Sequence, residues 1–207
     1  MPQKTRNKIL EAAIDLMSVK GYTATTTREI AQVAGLAEMT LFRKFNTKKE
    51  ILEKLIEKYT VSFKDNLLYS REDLAYDLEV DLVNFSRTYH RVVNENKKVL
   101  LLAFKESGIH DEISEQISAN PRLMKQYLID YLTEMRDMGK IADLDLEFTA
   151  MSFILMNLGY YSSQFISVEN VAEVSIETFI KHSVKVFVRG LSEKTLEKIT
   201  HNYSFEI

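Results

Sequence analysis

The chain has 207 residues, no cysteine, and only 6 glycines and 2 prolines. The absence of cysteine excludes disulfides, thiolate metal sites and cysteine nucleophiles, and it fits a reducing compartment. The scarcity of glycine and proline disfavours an all-β fold with many tight turns and favours long helices.

Charge is distributed unevenly along the chain. The formal net charge is −3, but residues 1–50 hold nine Lys and Arg against five Asp and Glu, so this segment is +4 and the remainder is −7. A basic N-terminal segment on an acidic body indicates a polyanionic partner for one end of the chain.

Targeting and membrane signals are weak. The N-terminus has no long apolar core and no small-residue cleavage site, so no signal peptide is predicted. The longest apolar-rich run, Phe148–Tyr161, is too short to span a membrane and contains Asn157. We expect a cytoplasmic protein.

Apolar residues at helical spacing predict a first helix over about 4–20, with Gly21 as its left-handed C-cap. Thr26 and Glu29 have capping-box spacing, which predicts a short second helix that ends near Ala34 before Gly35.

A third short helix is predicted over about 37–45, with Leu41 and Phe45 on one face. Thr47 and Glu50 form a second capping-box pattern, which predicts the start of a long fourth helix.

The 3.6-residue period continues through the rest of the chain, and the predicted fold class is all-α. Pro121 is placed in the first turn of its helix, Asn170 at a helix N-terminus, and Gly139 and Gly190 at helix ends. A short helix and a loose tail are expected over 192–207. The further predicted helices are 73–94, 97–107, 111–119, 121–138, 145–165 and 171–189.

Two short helices joined by Gly35 and Leu36 have the arrangement of a helix-turn-helix. If Leu41 is buried, then Met39 and Arg43 point away from the core, where a major groove would accept a helix of this width. The threonine caps direct unpaired amides and partial positive charge outward, as a phosphate would require. The alternative interpretation is ordinary capping, a Leu/Phe core stripe and solvated lysines. The ordered combination with the local charge of +4 favours DNA binding.

The run TTTREIAQVAGLAEMTLFRKFNTKKEIL resembles the DNA-binding signature of the tetracycline-repressor (TetR) family, and the resemblance covers about residues 5–60. The resemblance implies a homodimeric transcriptional regulator, usually a repressor, that leaves its operator when a small molecule binds the C-terminal domain. It implies no catalytic activity, cofactor or metal. It divides the chain into a DNA-binding domain over 1–50, with the start of the connecting fourth helix to about 70, and an effector-binding and dimerisation domain over 51–207.

Carried over by position, the resemblance implies one group that contacts phosphates: Thr27, Thr40, Lys44 and Lys48. It implies a second group that faces base edges or the adjacent backbone: Arg28, Glu38, Met39 and Arg43.

Three positions depart from the family pattern. Phe42 stands where the family usually has a phosphate-bonding Tyr, and Met39 where it often has Gly or Pro. Glu38 stands where a basic or amide residue is common. It would either accept from cytosine N4 or act as a favourable acid in the first turn of the helix, and the sequence leaves both open.

Aromatic residues and methionines recur at helical spacing in the C-terminal region, and each of them is more often a core residue than a pocket residue. If they line a pocket, their aromatic and adaptable side chains suit a lipophilic effector. His90, Asn157 and Gln164 are the polar residues expected to orient the ligand. The predicted apolar lining is Phe85, Tyr89, Phe104, Tyr127, Tyr131, Met156 and Tyr160.

The helix over 145–165 is apolar nearly all round, which implies a second apolar surface beyond one protomer's core. We therefore predict a C2 dimer built on the last two long helices. The residues predicted to mediate it are Ile176, Phe179, Ile180, Val184 and Phe187.

The rival class is an all-helical small-molecule-binding protein or enzyme without DNA binding. It would explain the aromatic interior but not the basic, doubly capped N-terminal segment. The four histidines lack metal-site spacing, and no GxSxG, P-loop or GxGxxG motif is present.

Overall fold

Periodic apolar residues fold into helices throughout the computed structural model, which describes residues 2–67, 71–106, 111–166 and 174–191. These ranges contain no strand, so the predicted all-α class is confirmed. The helices are α1 (Pro2–Lys20), α2 (Thr27–Val33), α3 (Glu38–Phe42), α4 (Lys48–Leu67), α5 (Leu78–Glu95), α6 (Lys97–Glu106), α7 (Asp111–Asp137), α8 (Leu146–Ile166) and α9 (Ile176–Gly190), with a 3₁₀ turn over Arg71–Asp73.

The chain divides into two compact units. The first comprises Met1–Asp65 and Val92–Asn120, and the second comprises Asn66–Arg91 and Pro121–Ile207. These units are defined by packing, so the functional division near residue 50 stays a prediction.

The core of the first unit is built from the inward faces of α1 to α4 and from α6. Ile9, Ala13 and Met17 recur at intervals of four on α1 and are fully buried. Leu41 and Phe45 pack into the same cluster, as predicted from their spacing. This burial fixes which face of α3 is left for solvent.

Local sequence signals at α2 behave as predicted. Thr26 and Glu29 form a complete capping box, in which Thr26 Oγ1 accepts from Glu29 N over 3.2 Å and Glu29 Oε2 accepts from Thr26 N over 3.0 Å. Gly21 and Gly35 both have left-handed backbones, with φ of 86° and 67°.

The start of α4 differs from the predicted capping box. Thr47 Oγ1 accepts from Glu50 N over 3.0 Å, but the Glu50 carboxylate accepts from Asn46 N, over 2.8 Å. In a capping box the Glu50 carboxylate would accept from Thr47 N, but here it accepts from the N–H of the preceding residue, Asn46.

Helix α5 begins five residues later than predicted. Tyr76 has a left-handed φ of 51°, which ends the preceding turn, and Asp77 Oδ1 accepts from Val80 N over 3.0 Å as the N-terminal cap. The buried Asp81 carboxylate accepts from Ala75 N over 2.9 Å and stabilises the connection.

The two helices predicted on either side of residue 120 form one continuous helix. Pro121 lies inside α7, which runs from Asp111 to Asp137, so its placement in a first turn was wrong. Proline keeps φ near the helical value, but it removes one backbone donor and its ring crowds the carbonyl four residues earlier, so α7 continues through Pro121 at a local cost.

Helix α9 begins at Ile176 rather than near residue 171, because Ser175 Oγ accepts from Thr178 N over 3.2 Å as the N-cap. Gly190 is the last helical residue and Leu191 is the C-cap, so the predicted stop at Gly190 was one residue early. The cap predicted at Asn170 and the segment 192–207 lie outside the described residues.

In the part of the chain that the structure describes, no helix has both the length and the apolar character that crossing a membrane requires.

Candidate nucleic-acid interface and effector cluster

A tight turn between α2 and α3 sets the position of α3. Gly35 N donates to Gln32 O over 3.1 Å, and Leu36 N donates to Ala31 O over 2.9 Å. A Cβ at Gly35 would meet no heavy atom within 4 Å, so glycine is favoured here by its φ rather than by space. The turn and the buried Leu41 together produce the helix-turn-helix geometry.

The side of α3 opposite Leu41 is exposed, and we call Met39, Phe42 and Arg43 the recognition face. Met39 is 80% exposed, and the ring of Phe42 and the side chain of Arg43 are also exposed. Thr40 and Lys44 are half-buried beside it. An exposed methionine and phenylalanine next to a guanidinium offer apolar contact and hydrogen-bond donors together, which is what base edges in a major groove can use.

Thr27 and Glu38 are bonded to each other across the turn. Thr27 Oγ1 donates to Glu38 Oε1 over 2.8 Å, which ties the first residue of α2 to the first residue of α3. Glu38 therefore braces the two helices, and its charge lies in the first turn of α3, where an acid is favourable.

Lys48 is held by the loop that follows α1. Its Nζ donates to Tyr22 O and Thr25 O over 2.8 Å each and to Thr23 O over 3.3 Å, and it lies 4.4 Å from the centre of the Tyr22 ring. An ammonium has three donors, and all three are used by these carbonyls. Burial lowers the pKa of Lys48, with the Glu106 carboxylate opposing that shift.

Lys48 thus fastens the α1–α2 loop to the start of α4 in the protomer, and its predicted phosphate contact stays a prediction. Lys49, the next residue, is exposed and forms a 3.9 Å ion pair with Glu53. Arg28, on the first turn of α2, is exposed as well.

In the second unit, aromatic rings surround His90, and we call His90, Tyr89, Tyr160 and Phe179 the His90 cluster. The His90 ring makes edge contacts with Tyr89, Tyr160 and Phe179 at centroid distances of 5.1, 5.5 and 5.9 Å. Tyr160 and Phe179 stack on each other at 4.1 Å. The cluster joins α5, α8 and α9.

Asn157 is the polar partner of His90. His90 Nε2 lies 3.1 Å from Asn157 Oδ1, and Asn157 Nδ2 donates to Phe153 O over 2.9 Å. Both side chains are buried. Burial lowers the pKa of His90 to about 4, against a smaller opposing effect of the bond to Asn157, so the ring is neutral near pH 7.

The other predicted effector residues are more dispersed. Phe85 stacks with Tyr127 at 6.1 Å, and Met156 and Tyr127 are half-buried. Tyr131 belongs to a separate contact, since its hydroxyl donates to Asp81 Oδ2 over 2.8 Å, and burial followed by this bond raises its pKa.

The third polar candidate, Gln164, lies apart from His90 and Asn157 among the described residues. Gln164 is exposed and reaches only Ser163, so nothing places it with His90 and Asn157. The Phe104 side chain lies outside the described residues. Sequence reasoning missed Ser86, a fully buried serine one helical turn before His90, because a lone serine in an apolar helix carries no distinctive spacing.

Comparison with known proteins adds independent evidence. Residues 9–55 match the family model described as "Bacterial regulatory proteins, tetR family". The chain is 31% identical over 188 residues to the uncharacterized HTH-type transcriptional regulator YvkB of Bacillus subtilis (strain 168). The aligned region covers 91% of this chain and 97% of YvkB.

The protein belongs to the TetR family.

Two further proteins resemble the chain at lower identity. The chain is 24% identical over 174 residues to the biofilm operon icaADBC HTH-type negative transcriptional regulator IcaR of Staphylococcus epidermidis (strain ATCC 35984 / DSM 28319 / BCRC 17069 / CCUG 31568 / BM 3577 / RP62A), covering 84% of this chain and 92% of that one. The fold is similar to that of AibR, which was solved in complex with isovaleryl coenzyme A and operator DNA, with a TM-score of 0.69 and 21% sequence identity. The match covers 88% of this chain and 97% of the AibR chain. YvkB and IcaR are both named as transcriptional regulators, which favours a transcriptional regulator over the rival helical enzyme or carrier.

Phe42, one of the three departures from the TetR-family pattern, lies on the recognition face. Phe42 carries an exposed ring without a hydroxyl, so it offers a phosphate no hydrogen bond. It still offers an apolar edge beside Arg43. Of the residues described in this TetR-family protein, none form a group of three or more His, Asp or Glu suited to a metal ion.

Two of the five predicted dimer residues lie in the core of the protomer, and the dimer itself stays a prediction. Ile180 and Val184 are fully buried within it, so their side chains are not available to a partner. The helical stripe used to select them is the inward face of α9. Phe179 and Phe187 are half-buried against Tyr160 and Phe153, and Ile176 alone of the five is exposed.

Proposed function

We propose that this TetR-family protein is a homodimeric repressor that a small lipophilic effector releases from a near-palindromic operator. The observation that carries the proposal is the exposed recognition face of Met39, Phe42 and Arg43 on a helix fixed by the Gly35 turn. All three side chains are exposed, so they are available to the major groove, which can use an apolar pair and a guanidinium together.

Relatives support the repressor part of the proposal. IcaR is named as a negative transcriptional regulator, and AibR was solved with operator DNA and an acyl coenzyme A bound. We extend operator binding and effector control from these proteins to this chain. Operator binding also supports a cytoplasmic location, since that is where a bacterial regulator meets DNA.

We assign DNA binding to residues 1–50 and effector binding and dimerisation to 51–207. Thr40, Lys44 and Lys49 are the proposed phosphate-side residues, and Thr27 joins them only if its hydroxyl leaves Glu38 Oε1, to which it donates in the protomer. Arg43 and Met39 are the proposed base-side residues, and Glu38 is assigned the bracing role that its bond with Thr27 supports.

The dimer surface is proposed on the outer faces of α8 and α9. Phe148, Met151 and Leu155 follow one another at helical spacing on α8 and are exposed, and Leu155 is 53% exposed. Ile176 and Val186 provide exposed apolar positions on α9. Exposed apolar residues on two consecutive helices support an isologous four-helix contact between two protomers.

Selection of DNA fragments from the source genome, using the full-length chain, tests the proposal. We expect recovered fragments to share an inverted repeat whose half-sites lie about 34–36 Å apart or a multiple of that distance. The matched control is Arg43→Ala, which keeps the fold but removes the guanidinium. Failure to recover any common site, or recovery of the same site by the control with equal affinity, would overturn the proposal.

A further inference from the structure

Three exposed side chains form one continuous surface on α3. Phe42 and Arg43 lie three and four residues after Met39, so each is a neighbour of Met39 on the helix surface. Arg43 keeps helical backbone angles at the C-cap, with φ of −68° and ψ of −20°, so this spacing extends to it. Met39 is 80% exposed and Phe42 is 42% exposed. The recognition face therefore presents a thioether and a phenyl ring beside a guanidinium.

The acid of α3 is engaged within the protomer. Glu38 is half-buried, and its Oε1 accepts from Thr27 Oγ1 over 2.8 Å. A free carboxylate at this end of α3 could accept from cytosine N4 in a major groove. The bond to Thr27 holds Glu38 toward α2 instead, so the chemistry left for base edges is that of the recognition face.

Charge around the recognition face matches a polyanion. Residues 1–50 carry a net charge of +4, from nine Lys and Arg against five Asp and Glu. Arg28 and Lys49 are exposed in this segment, and Lys44, which directly follows the recognition face, is half-buried. An apolar pair within a basic segment fits the major groove of DNA, where phosphates border the base edges.

The major groove offers one apolar group to such a pair. Hydrogen-bond donors and acceptors line the edges of all four bases, and the apolar group among them is the 5-methyl group of thymine. Met39 and Phe42 have no side-chain N–H or O–H to donate, and a thioether is only a weak acceptor. Phosphate oxygens likewise offer no hydrogen bond to a phenyl ring without a hydroxyl. Packing on a methyl group, in contrast, removes apolar surface of both partners from water.

We propose that each half-site of the operator contains a thymine whose 5-methyl group packs against Met39 and Phe42. This inference rests on the proposed DNA-binding function and specifies part of the sequence that the protein recognises. Methionine suits the contact because its flexible, polarisable side chain adapts to the position of a small apolar group. Discrimination at this base pair is thus apolar, whereas that of Arg43 depends on hydrogen bonds.

Deoxyuridine isolates the methyl group, because it lacks only the 5-methyl group of thymidine and keeps O4 and the base pair. The full-length protein is titrated against the selected site, with each thymine replaced in turn at the equivalent positions of both half-sites. We expect at least one of these replacements to weaken binding about fourfold per half-site, or about 15-fold for the duplex, as burial of one methyl group predicts. A half-site without thymine, or a loss at every thymine within the scatter of about twofold, would overturn the inference.

Two truncations show whether these side chains make the contact. Met39→Ala and Phe42→Ala should each reduce the penalty for deoxyuridine, and the double variant should abolish it, because no apolar side chain is then left to meet the methyl group. Both side chains are exposed, so circular dichroism and the unfolding midpoint should report an unchanged fold. A penalty that survives in the double variant would assign the effect to DNA flexibility and contradict the contact.

Arg43→Ala is the matched control, because Arg43 lies on the same face but acts through hydrogen bonds. It should weaken binding and retain the penalty for deoxyuridine, and loss of the penalty in this variant would count against a separate apolar contact. Met39→Leu keeps an apolar side chain and should also retain the penalty, and a loss as complete as in Met39→Ala would contradict the inference.

Failure of the proposed function is distinguishable from failure of this inference. In the first case the DNA selection recovers no common site. In the second case a common site is recovered, but its affinity does not depend on a thymine methyl group.

Discussion

The carboxylate of Glu106 accepts a hydrogen bond from the backbone N–H of Tyr22, with 2.8 Å between Oε1 and N. Tyr22 in turn offers its carbonyl to Lys48, so one turn residue is bonded to the last residue of α6 and to the first residue of α4. Glu106 is buried, and a Cβ at Gly21 would lie 3.0 Å from its Oε1. Residues far apart in sequence thus stabilise the loop between α1 and α2.

The first prediction compares two glycine substitutions. Gly21→Ala and Gly35→Ala should each destabilise by about 1–2 kcal/mol, because both positions have left-handed backbones. Gly21→Ala should cost more, since its methyl also meets Glu106 whereas Gly35 has nothing within 4 Å. Urea unfolding of both variants measures the two losses of unfolding free energy. Equal losses would mean that the Glu106 side chain moves away from the added methyl group at little cost.

The second prediction separates two neighbouring lysines by salt dependence. Lys49→Ala should lower the slope of log affinity against log salt by about 1 for each phosphate contact removed. Lys48→Met should weaken operator binding through a displaced loop but change the slope little, because its Nζ is bonded to carbonyls. Titrations at several salt concentrations measure both, and a slope change for Lys48→Met as large as for Lys49→Ala would restore Lys48 as a phosphate contact.

The third prediction concerns base recognition by Arg43. Arg43→Ala should cost about 1–3 kcal/mol per half-site and relax the preference at one base pair, because a guanidinium that bonds a base edge carries sequence information. Binding to the operator and to single-base variants measures this. A uniform loss across all sequences would reassign Arg43 to the backbone.

The fourth prediction concerns the dimer. Leu155→Glu should give a monomer by sedimentation, because the charge would be buried at the proposed contact. Val19→Glu is the matched control, since Val19 is 73% exposed on α1 and should leave the oligomeric state unchanged. If the wild type is a monomer at micromolar concentration, the proposed dimer is wrong.

The fifth prediction concerns pH. The folded-state pKa of His90 is about 4 and its ordinary value is 6.5, so below pH 6.5 the unfolded chain binds a proton that the folded protein does not. Stability is therefore lost as pH falls from about 6.5 to 4, by up to about 3 kcal/mol for this shift. His90→Gln should flatten the curve in that window, and identical curves for the two proteins would contradict the neutral, buried state of the ring.

Glu29 offers an internal reference for that measurement. Its pKa is lowered to about 2, first by the bond from Lys20 and then by those from Thr26, so its contribution is present above its ordinary value of 4.5 and is lost between 4.5 and 2. This window overlaps that of His90 only near pH 4 to 4.5, so most of each contribution can be followed separately along one titration.

Local features were predictable from sequence because they depend on a few neighbouring residues. The capping box of Thr26 and Glu29, the left-handed Gly35 and the buried Leu41 all follow from spacing. By contrast, continuity through Pro121 was not predictable, because a proline inside a helix removes a backbone donor and crowds the preceding turn, and only the rest of α7 can offset that cost.

Side-chain direction was less predictable. The sequence places Lys48 at a helix start, but three carbonyls of a distant loop decide where its ammonium goes. The apolar stripe of α9 was assigned to the dimer contact, because the sequence alone does not tell whether such a stripe faces a partner or the neighbouring helices of the same protomer. In the structure Ile180 and Val184 are buried within the protomer.

Specific DNA binding is the central claim, and the ratio of two affinities tests it most directly. The full-length protein is titrated, at one fixed salt concentration, against the site recovered by selection and against a shuffled duplex of the same composition. We predict that the recovered site binds at least about 10³-fold more tightly, as specific regulators do. A ratio near one would contradict the account, because the protein would then bind DNA only through sequence-independent attraction between its basic residues and the phosphates.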